Sequence, residues 1–303
     1  MLSMVHQFYA MGSDCAVRLC GDTVADVERF AAAAENEVRR IEARYSRYRS
    51  DSELARINEA AAVGGCIEID AETAGLVAYA KACFIKSGGA FDITSGRLRA
   101  AWDFSASRLP DQASIDAILP FIGLDKVELF DGQLHFSKAG IELDFGGLGK
   151  EYAADRAAEV CADLGVRHGF VDLGGDLRVV GPQPDGLPWR IGVRHPRDAG
   201  KVTAEIALPA GGIATSGDYE RFMEIAGQRY CHILDPRTGW PARGLSSVSV
   251  ISDRCLVAGS LSTAAMLKGK DGPAWLQSLG VRHIVVDEQG KYGGTEPPLA
   301  HAL

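Results

Sequence analysis

Apolar residues recur every three to four positions in residues 24–44, with charged residues between them. The apolar positions are Val27, Phe30, Ala31, Ala34, Val38 and Ile41. This spacing places the apolar side chains on one face and predicts an amphipathic helix. The same reasoning, with glycines as stop signals, predicts further helices over 71–86, 111–120, 150–164 and 256–267.

Short runs rich in β-branched and aromatic residues lie between the helices and predict strands. They cover 16–19, 127–130, 169–173, 177–180, 190–193, 202–206, 247–251 and 282–286. Since strands and helices do not alternate regularly, we expect an α+β fold with a largely antiparallel sheet. The nearest approach to a linker, residues 182–188, is short enough to be a hairpin loop, so residues 1–303 are expected to form a single domain.

Charge and composition exclude several function classes. With 32 Lys+Arg against 40 Asp+Glu the net charge is −8, and no basic run offers an extended nucleic-acid footprint. No stretch approaches the roughly 20 apolar residues that would span a membrane. The N-terminus lacks a basic segment followed by an apolar one, and no lipobox-like cysteine is present, so the sequence as given predicts a cytoplasmic location. Removal of a leader would make the periplasm the expected compartment.

The seven cysteines are odd in number, scattered and without a CxxC pair. This pattern argues against a disulfide framework and against a structural zinc site. We therefore interpret most of them as small buried hydrophobic residues.

Glycine is unusually abundant, at 35 of 303 residues, or about 12 % against a typical ~7 %. Several glycines occur as doublets beside polar residues, at 88–89, 146–147, 174–175 and 211–212. Such doublets are typical of tight turns and of backbone that passes close to a ligand. Composition alone leaves both interpretations open.

Two glycine-rich segments have the chemistry of a ligand site. Segment 88–96 places Phe91 and Asp92 among small residues, an arrangement that could receive a planar ring and fix its polar edge. The alternative is a loop in which Asp92 or Thr94 caps a helix. Segment 142–155 predicts a strand, a glycine-rich turn and a helix that begins near Lys150, where helix amides and the lysine would favour phosphate oxygens.

The spacing of segment 142–155 matches neither the Walker A loop nor the dinucleotide fingerprint, so as a motif it is weak. Segments 211–219 and 232–241 are dense in hydroxyl groups, and His232 has a side chain suited to a general base near neutral pH. In the alternative interpretation, Asp235 and Thr238 satisfy backbone groups in a turn and Arg237 pairs with a surface carboxylate. Segment 258–265 places small hydroxyl residues at the start of a helix, where a capping role is favoured.

Taken together, these segments resemble the ApbE family of FAD:protein FMN transferases from about Met11 to Leu279. The resembling blocks are Met11–Ser13, Tyr45–Tyr48 with Asp51–Leu54 and Asn58, Ala90–Asp92, Asp144–Asp155, Val171–Asp176, Ala214–Tyr219 and His232–Gly239. The resemblance implies a T-fold-like α+β architecture with flanking helices and a central flavin cleft. It also implies that the protein, with Mg²⁺, splits the pyrophosphate of FAD and passes FMN to a threonine or serine of an acceptor flavoprotein, which the sequence does not identify.

The resemblance also implies roles for individual residues. It places His232 and Ile233 at the reacting end and Lys150 near the phosphates, and the chemistry of its side chain makes His232 the candidate for the catalytic base. The residues implied in FAD binding are Met11, Tyr48, Ala90, Phe91, Asp92, Gly146, Lys150, Tyr152 and Ile233. The implied metal ligands are the Thr263 hydroxyl and backbone carbonyls near Gly149 and Ser262.

The sequence departs from the family pattern at two positions. Gly259 stands where the family has a metal-binding aspartate, and Glu151 stands where it usually has glycine after the lysine. Since Mg²⁺ is usually held by one or two carboxylates, loss of the aspartate is expected to weaken metal binding. Three hypotheses follow: a working FMN transferase, a flavin-binding protein that has lost the metal and its chemistry, and an FAD pyrophosphatase that needs no acceptor.

Overall fold

The computed structural model describes residues 1–106 and 108–297, which form seven α-helices and fifteen strands. The helices are α1 (Val24–Tyr45), α2 (Glu53–Val63), α3 (Ala71–Ser87), α4 (Gln112–Ile118), α5 (Gly149–Asp163), α6 (Cys255–Lys268) and α7 (Gly272–Ser278). The strands are β1 (Leu2–Ala10), β2 (Ser13–Gly21), β3 (Gly65–Glu68), β4 (Val127–Phe130), β5 (Gln133–Phe136), β6 (Gly169–Leu173), β7 (Asp176–Gly181), β8 (Trp189–His195), β9 (Asp198–Leu208), β10 (Gly212–Gly217), β11 (Phe222–Ile225), β12 (Gln228–Cys231), β13 (Leu245–Ser252), β14 (Arg282–Asp287) and β15 (Tyr292–Gly294).

Eight strands form the central sheet, in the order β1-β2-β6-β7-β10-β13-β14-β15. Every neighbouring pair in this sheet is antiparallel. Smaller sheets are formed by β3-β5-β4 and by the hairpins β8-β9 and β11-β12. The expected α+β class with an antiparallel sheet is confirmed.

Both faces of the sheet are covered, by different elements. Helices α1, α5 and α6 pack on one face, where apolar side chains such as Val38, Ala154 and Val250 form the main core. The β8–β9 ribbon covers part of the other face, packing Trp189 and Ile206 against the alternate side chains of β7, β10 and β13. Because α5 and α6 lie side by side on the sheet, residues far apart in the sequence meet between them.

The five predicted helices are all present, with ends that differ by a few residues from the predicted ones. The predicted strand at the start of segment 142–155 is wrong, because residues 141–145 belong to no strand. Helices α2 and α7 and seven strands, among them β1 and β10, were not predicted. In the case of α2 a signal existed, since Ser52 caps the helix by accepting from Ala55 N.

The capping role expected for the small hydroxyl residues of segment 258–265 is wrong. Helix α6 begins at Cys255, and its first amides, of Cys255 and Leu256, donate to the carboxylate of Asp155 on α5 at 2.9 and 3.0 Å. The hydroxyls of Ser260 and Ser262 donate instead to carbonyls of their own helix. A carboxylate from another element therefore replaces the local cap that the sequence suggested.

The expectations for the cysteines and for membrane spans fit the structure. All seven cysteines are free, and five of them are buried. Within residues 1–106 and 108–297, no helix combines the length and the apolarity needed to cross a bilayer.

Candidate active site

The β1–β2 hairpin brings Met11 to the start of α5. Met11 and Gly12 form the turn with φ values of 54° and 72°, a left-handed conformation that non-glycine residues rarely adopt. The Met11 amide donates to Glu42 Oε1 at 2.5 Å, which holds the turn in place. The end of the Met11 side chain lies over Gly149, 3.5 Å from where a Cβ at that position would stand.

The glycine-rich turn at 146–148 leads into α5 without a side-chain cap. The N-cap residue is Leu148, which cannot accept hydrogen bonds through its side chain. The ring of buried Phe91 packs against the turn, 3.6 Å from where a Cβ on Gly147 would stand. A helix start with no side-chain cap, in a glycine-rich turn, is suited to an anionic ligand.

Asp92 has a structural role in the loop that contains Phe91 and the buried Ala90. Its carboxylate accepts from the amide and hydroxyl of Thr94 at 2.8 and 2.7 Å, and from the amide of Leu124 at 3.1 Å. Both carboxylate oxygens are therefore occupied by the protein. This fits the structural alternative for segment 88–96, with the difference that one satisfied amide, that of Leu124, begins a one-turn 3-10 helix elsewhere in the chain.

Lys150 is held at the site by a buried carboxylate. Its ammonium lies 2.6 Å from Asp176 on β7, and Asp176 also accepts from Thr215 N at 3.3 Å. The pairing of β7 with β10 covers only Gly212 and Ile213 of β10, and Thr215 lies beyond it. Burial alone would lower the pKa of Lys150, but Asp176 more than offsets it and raises that pKa, so the side chain is a cation at neutral pH.

His232 is solvent-accessible but surrounded by protein, and it lies near three cations. Partial burial, together with the charges of Arg221, Lys150 and Arg47, lowers its pKa below the ordinary histidine value. Its Nδ1 lies 3.1 Å from the carbonyl oxygen of Arg221. Since a carbonyl can only accept, Nδ1 bears the proton and Nε2 keeps a free lone pair.

The β11–β12 hairpin explains why Arg221 and His232 meet. Phe222 pairs with Cys231, so the residues just outside the hairpin face each other, and His232 N donates to Arg221 O at 2.9 Å. Alternating residues around the turn at Ala226-Gly227 were a sequence signal for this hairpin, but it was missed.

Tyr48 joins the same region from the segment that follows α1. Its side chain is 80 % exposed, and the Arg47 guanidinium lies 4.8 Å from the ring centre. Partial burial opposes the shift, but Arg47 and Arg221 together lower the pKa of the phenol. Arg47 is itself fixed by Asp144, at 2.9 Å. We refer to Arg47, Lys150 and Arg221 as the cation group.

Three sequence-predicted features lie apart from the cation group. Tyr152 donates its hydroxyl to Glu72 of α3 at 2.8 Å, and Ile233 is buried in the main core. In the turn that follows, Asp235 binds the side chain of Arg237, and Thr238 accepts from the Trp240 amide, as the structural alternative expected.

A group of hydroxyls lies between α6 and β10. Ser216 Oγ is 2.8 Å from Ser262 Oγ and 2.9 Å from Thr263 Oγ1. Ser262 also donates to the carbonyl oxygen of Gly259 at 2.9 Å, one helical turn before Thr263. We refer to Ser216, Ser262 and Thr263 as the hydroxyl group.

The carboxylate of Glu151 lies over Gly259. A Cβ at position 259 would collide with Glu151 Cγ and Oε1 and lie 2.7 Å from Cδ. Glu151 is only 7 % exposed, and its Oε2 has no hydrogen-bond partner. Burial, and then the nearby charge of Asp176, raises the pKa of Glu151 to about 8.

Glu151, the hydroxyl group and the carbonyls near them are suited to a hard divalent cation. No group of three or more His, Cys, Asp or Glu side chains within the described residues is arranged to hold a metal. Mg²⁺, however, needs only one or two carboxylates together with other oxygen ligands. An unpartnered buried carboxylate oxygen, the hydroxyl group and nearby carbonyls provide oxygen ligands of this kind.

Sequence reasoning assigned no role to Arg47, Arg221 or Asp176. Asp176 was visible as the last residue of a resembling block, and Arg47 lies within another, so their positions were an available signal. The position of Arg221 beside His232 follows only from the register of the β11–β12 hairpin.

Comparisons with known proteins identify the family of the chain. The ApbE family model matches residues 11–285. The FAD:protein FMN transferase of Haemophilus influenzae is 31 % identical over 262 residues, covering 83 % of this chain and 76 % of that protein. Among solved structures, the ApbE protein of Thermotoga maritima is 33 % identical, with a TM-score of 0.90 and 97 % of each chain covered.

The flavinyl transferase ApbE of Pseudomonas stutzeri, in its apo form, is 31 % identical, with a TM-score of 0.85 over 97 % of this chain and 94 % of that one. The blocks that suggested the resemblance fall within the matched residues. The chain belongs to the ApbE family.

Proposed function

We propose that this protein binds FAD at the start of α5 and transfers its FMN part to a threonine or serine hydroxyl of an acceptor flavoprotein. The observation that carries the proposal is the placement of His232, with a free Nε2, beside the cation group. Membership of a family whose relatives are named FAD:protein FMN transferases supports the same reaction.

The proposed reaction is a phosphoryl-type transfer without redox chemistry. The acceptor hydroxyl oxygen bonds to the phosphorus on the FMN side of the pyrophosphate, and the bond from that phosphorus to the bridging oxygen breaks. The bridging oxygen leaves with AMP. The proton of the acceptor hydroxyl passes to His232 Nε2, which is available because the lowered pKa keeps the ring neutral near pH 7.

The cation group would stabilise the charge on the pyrophosphate. Lys150 is held in place by Asp176 and Arg47 by Asp144, so these two cations are positioned before substrate arrives. Mg²⁺, when bound, would neutralise phosphate oxygens. The Thr263 hydroxyl and backbone carbonyls near Gly149 and Ser262 would hold it.

The proposal is tested by mass spectrometry of Thr- or Ser-containing flavoprotein acceptor peptides incubated with the protein and FAD, with Mg²⁺ or with EDTA. We expect a metal-dependent FMN adduct that is lost in His232→Asn and kept in His135→Asn, a change at an exposed histidine on β5. Adduct formation by His232→Asn at the normal rate would remove that residue from the role of base.

Two other outcomes correspond to the alternatives. Release of FMN and AMP without any adduct would make the protein a pyrophosphatase. FAD binding, followed by flavin fluorescence, without turnover of FAD would make it a flavin-binding protein.

A further inference from the structure

Glu151 is a buried acid with an unsatisfied carboxyl oxygen. It lies in the first turn of α5, more than nine-tenths buried, and its Oε2 makes no hydrogen bond within residues 1–106 and 108–297. Leaving a buried polar group unsatisfied costs about 1–3 kcal/mol. Within the described residues the Lys150 ammonium pairs with Asp176, at 2.6 Å, and makes no ion pair with Glu151. The carboxylate is therefore free to serve a ligand.

Gly259 provides the space that this carboxylate occupies. Glycine inside a helix costs about 1 kcal/mol relative to alanine, so helix formation does not favour it here. Any side chain at 259 would begin inside the space of the Glu151 side chain, with its Cβ 2.7 Å from Glu151 Cδ. The two positions share one space, and only one of them can fill it.

That space lies beside the hydroxyl group. Residues four apart on a helix are neighbours on one face, so Thr263 lies on the same face of α6 as Gly259. The Ser216 hydroxyl is hydrogen-bonded to those of Ser262 and Thr263, and the Ser262 hydroxyl donates to the Gly259 carbonyl. A single carboxylate next to hydroxyl and carbonyl oxygens is a ligand set that suits Mg²⁺ or Mn²⁺.

We infer that Glu151, reaching across from α5, provides the metal-binding carboxylate of this site and that Gly259 is glycine to make room for it. The two departures from the family pattern then form one exchange between neighbouring helices. The inference rests on the proposed function in its choice of a divalent cation. Under this inference, loss of the metal site is the weaker explanation for the glycine at position 259.

The test measures metal binding directly, by the electron paramagnetic resonance signal of free Mn²⁺ during titration of the full chain, with and without FAD. Four proteins are compared: the natural chain, Glu151→Gln, the exchange variant Glu151→Gly with Gly259→Asp, and the control Glu159→Gln. Glu159 is a partly exposed acid farther along α5 that pairs with Arg156 and Arg254. Circular dichroism and thermal melts establish that each variant is folded.

We expect Glu151→Gln to weaken Mn²⁺ binding by at least the 10–100-fold typical of losing even an outer-sphere partner of a metal. The exchange variant should recover most of that affinity, and Glu159→Gln should retain it. The inference is overturned if Glu151→Gln binds Mn²⁺ as tightly as the natural chain, or if the natural chain binds none in either arm. If the exchange variant folds but does not bind Mn²⁺, the inferred exchange of the carboxylate between α6 and α5 is wrong.

This experiment separates the inference from the proposed function. Mn²⁺ binding that depends on Glu151, in a protein that forms no FMN adduct, would leave the metal assignment standing and refute the transferase proposal. An FMN adduct formed at the natural rate by Glu151→Gln would support the transferase and refute the role of Glu151.

Discussion

The contact between Glu151 and Gly259 makes the effect of Gly259→Ala depend on what occupies position 151. Alanine is favoured over glycine in a helix by about 1 kcal/mol, so on propensity alone the change would stabilise α6. The new Cβ, however, would lie 2.7 Å from Glu151 Cδ and closer still to two other atoms of that side chain. Overpacking of a dense interior costs about 1–3 kcal/mol.

We expect the overpacking cost to be the larger of the two effects because Glu151 is buried, so its side chain must move within a packed interior to clear the new Cβ. In the natural chain we therefore expect Gly259→Ala to lower the free energy of unfolding by up to about 2 kcal/mol. In a Glu151→Gly background the obstructing side chain is gone, and the same change should raise it by up to about 1 kcal/mol. The coupling between the two positions is the difference, about 1–3 kcal/mol.

This coupling is measured by urea unfolding of the natural chain, Gly259→Ala, Glu151→Gly and the double variant. EDTA in the buffer removes any contribution from metal. Gly75→Ala is the matched control, since Gly75 is an exposed glycine of α3 with no atom within 4 Å of the added Cβ. It should be neutral or stabilising in both backgrounds. Equal effects of Gly259→Ala in the two backgrounds would contradict the predicted collision, because they would mean that Glu151 has another rotamer available at little cost.

Three further predictions follow from the ion pair, the base and the helix cap. Lys150→Met leaves the buried charge of Asp176 without its cation and should cost about 3–5 kcal/mol of unfolding free energy, with Lys150→Arg costing less, as measured by urea denaturation. The pKa of His232 is lowered, so the acid limb of the pH profile of kcat/KM should lie below the ordinary histidine value of about 6.5. Activity should fall only as the pH drops through that lowered pKa, because the protonated ring cannot accept the proton of the acceptor hydroxyl. An acid limb at or above that value would contradict the assignment of His232 as the base. Asp155→Ala removes the cap of α6 and should lower stability by about 1–2 kcal/mol, whereas Asp155→Asn should cost less; equal melting temperatures for both would contradict the capping role.

Local patterns predicted the elements that bury one face and expose the other. Helix α1 follows a regular three-to-four spacing, and its buried positions include those that the pattern selected. Strand β10 was missed because Thr215 and Ser216 give it the composition of a turn. In the structure their hydroxyls pair with Ser249 on β13 and with the hydroxyls of α6, so tertiary contacts satisfy polar groups that no local pattern could place.

In the candidate site too, local chemistry predicted some features, and others depend on tertiary contacts. The glycine-rich turn and Lys150 were predicted from local chemistry, and the structure places them together at the start of α5. The cap of α6 was assigned to its own serines because Asp155 is distant in the sequence. Gly259 and Glu151 were both recognised as unusual, but as two separate departures, since their contact exists only where α5 and α6 pack together.

This contact bears on the choice between a working site and a decayed one. In a site that had lost its metal, a buried carboxyl without a partner would be a cost of about 1–3 kcal/mol with no return. An apolar residue at position 151, or a small side chain at 259, would remove that cost, since replacing buried charges by well-packed apolar groups is often neutral or stabilising. The chain instead keeps the acid, the glycine that makes room for it and the hydroxyls beside it. Each is unfavourable or neutral for folding alone, and binding of a cation gives all three a common reason.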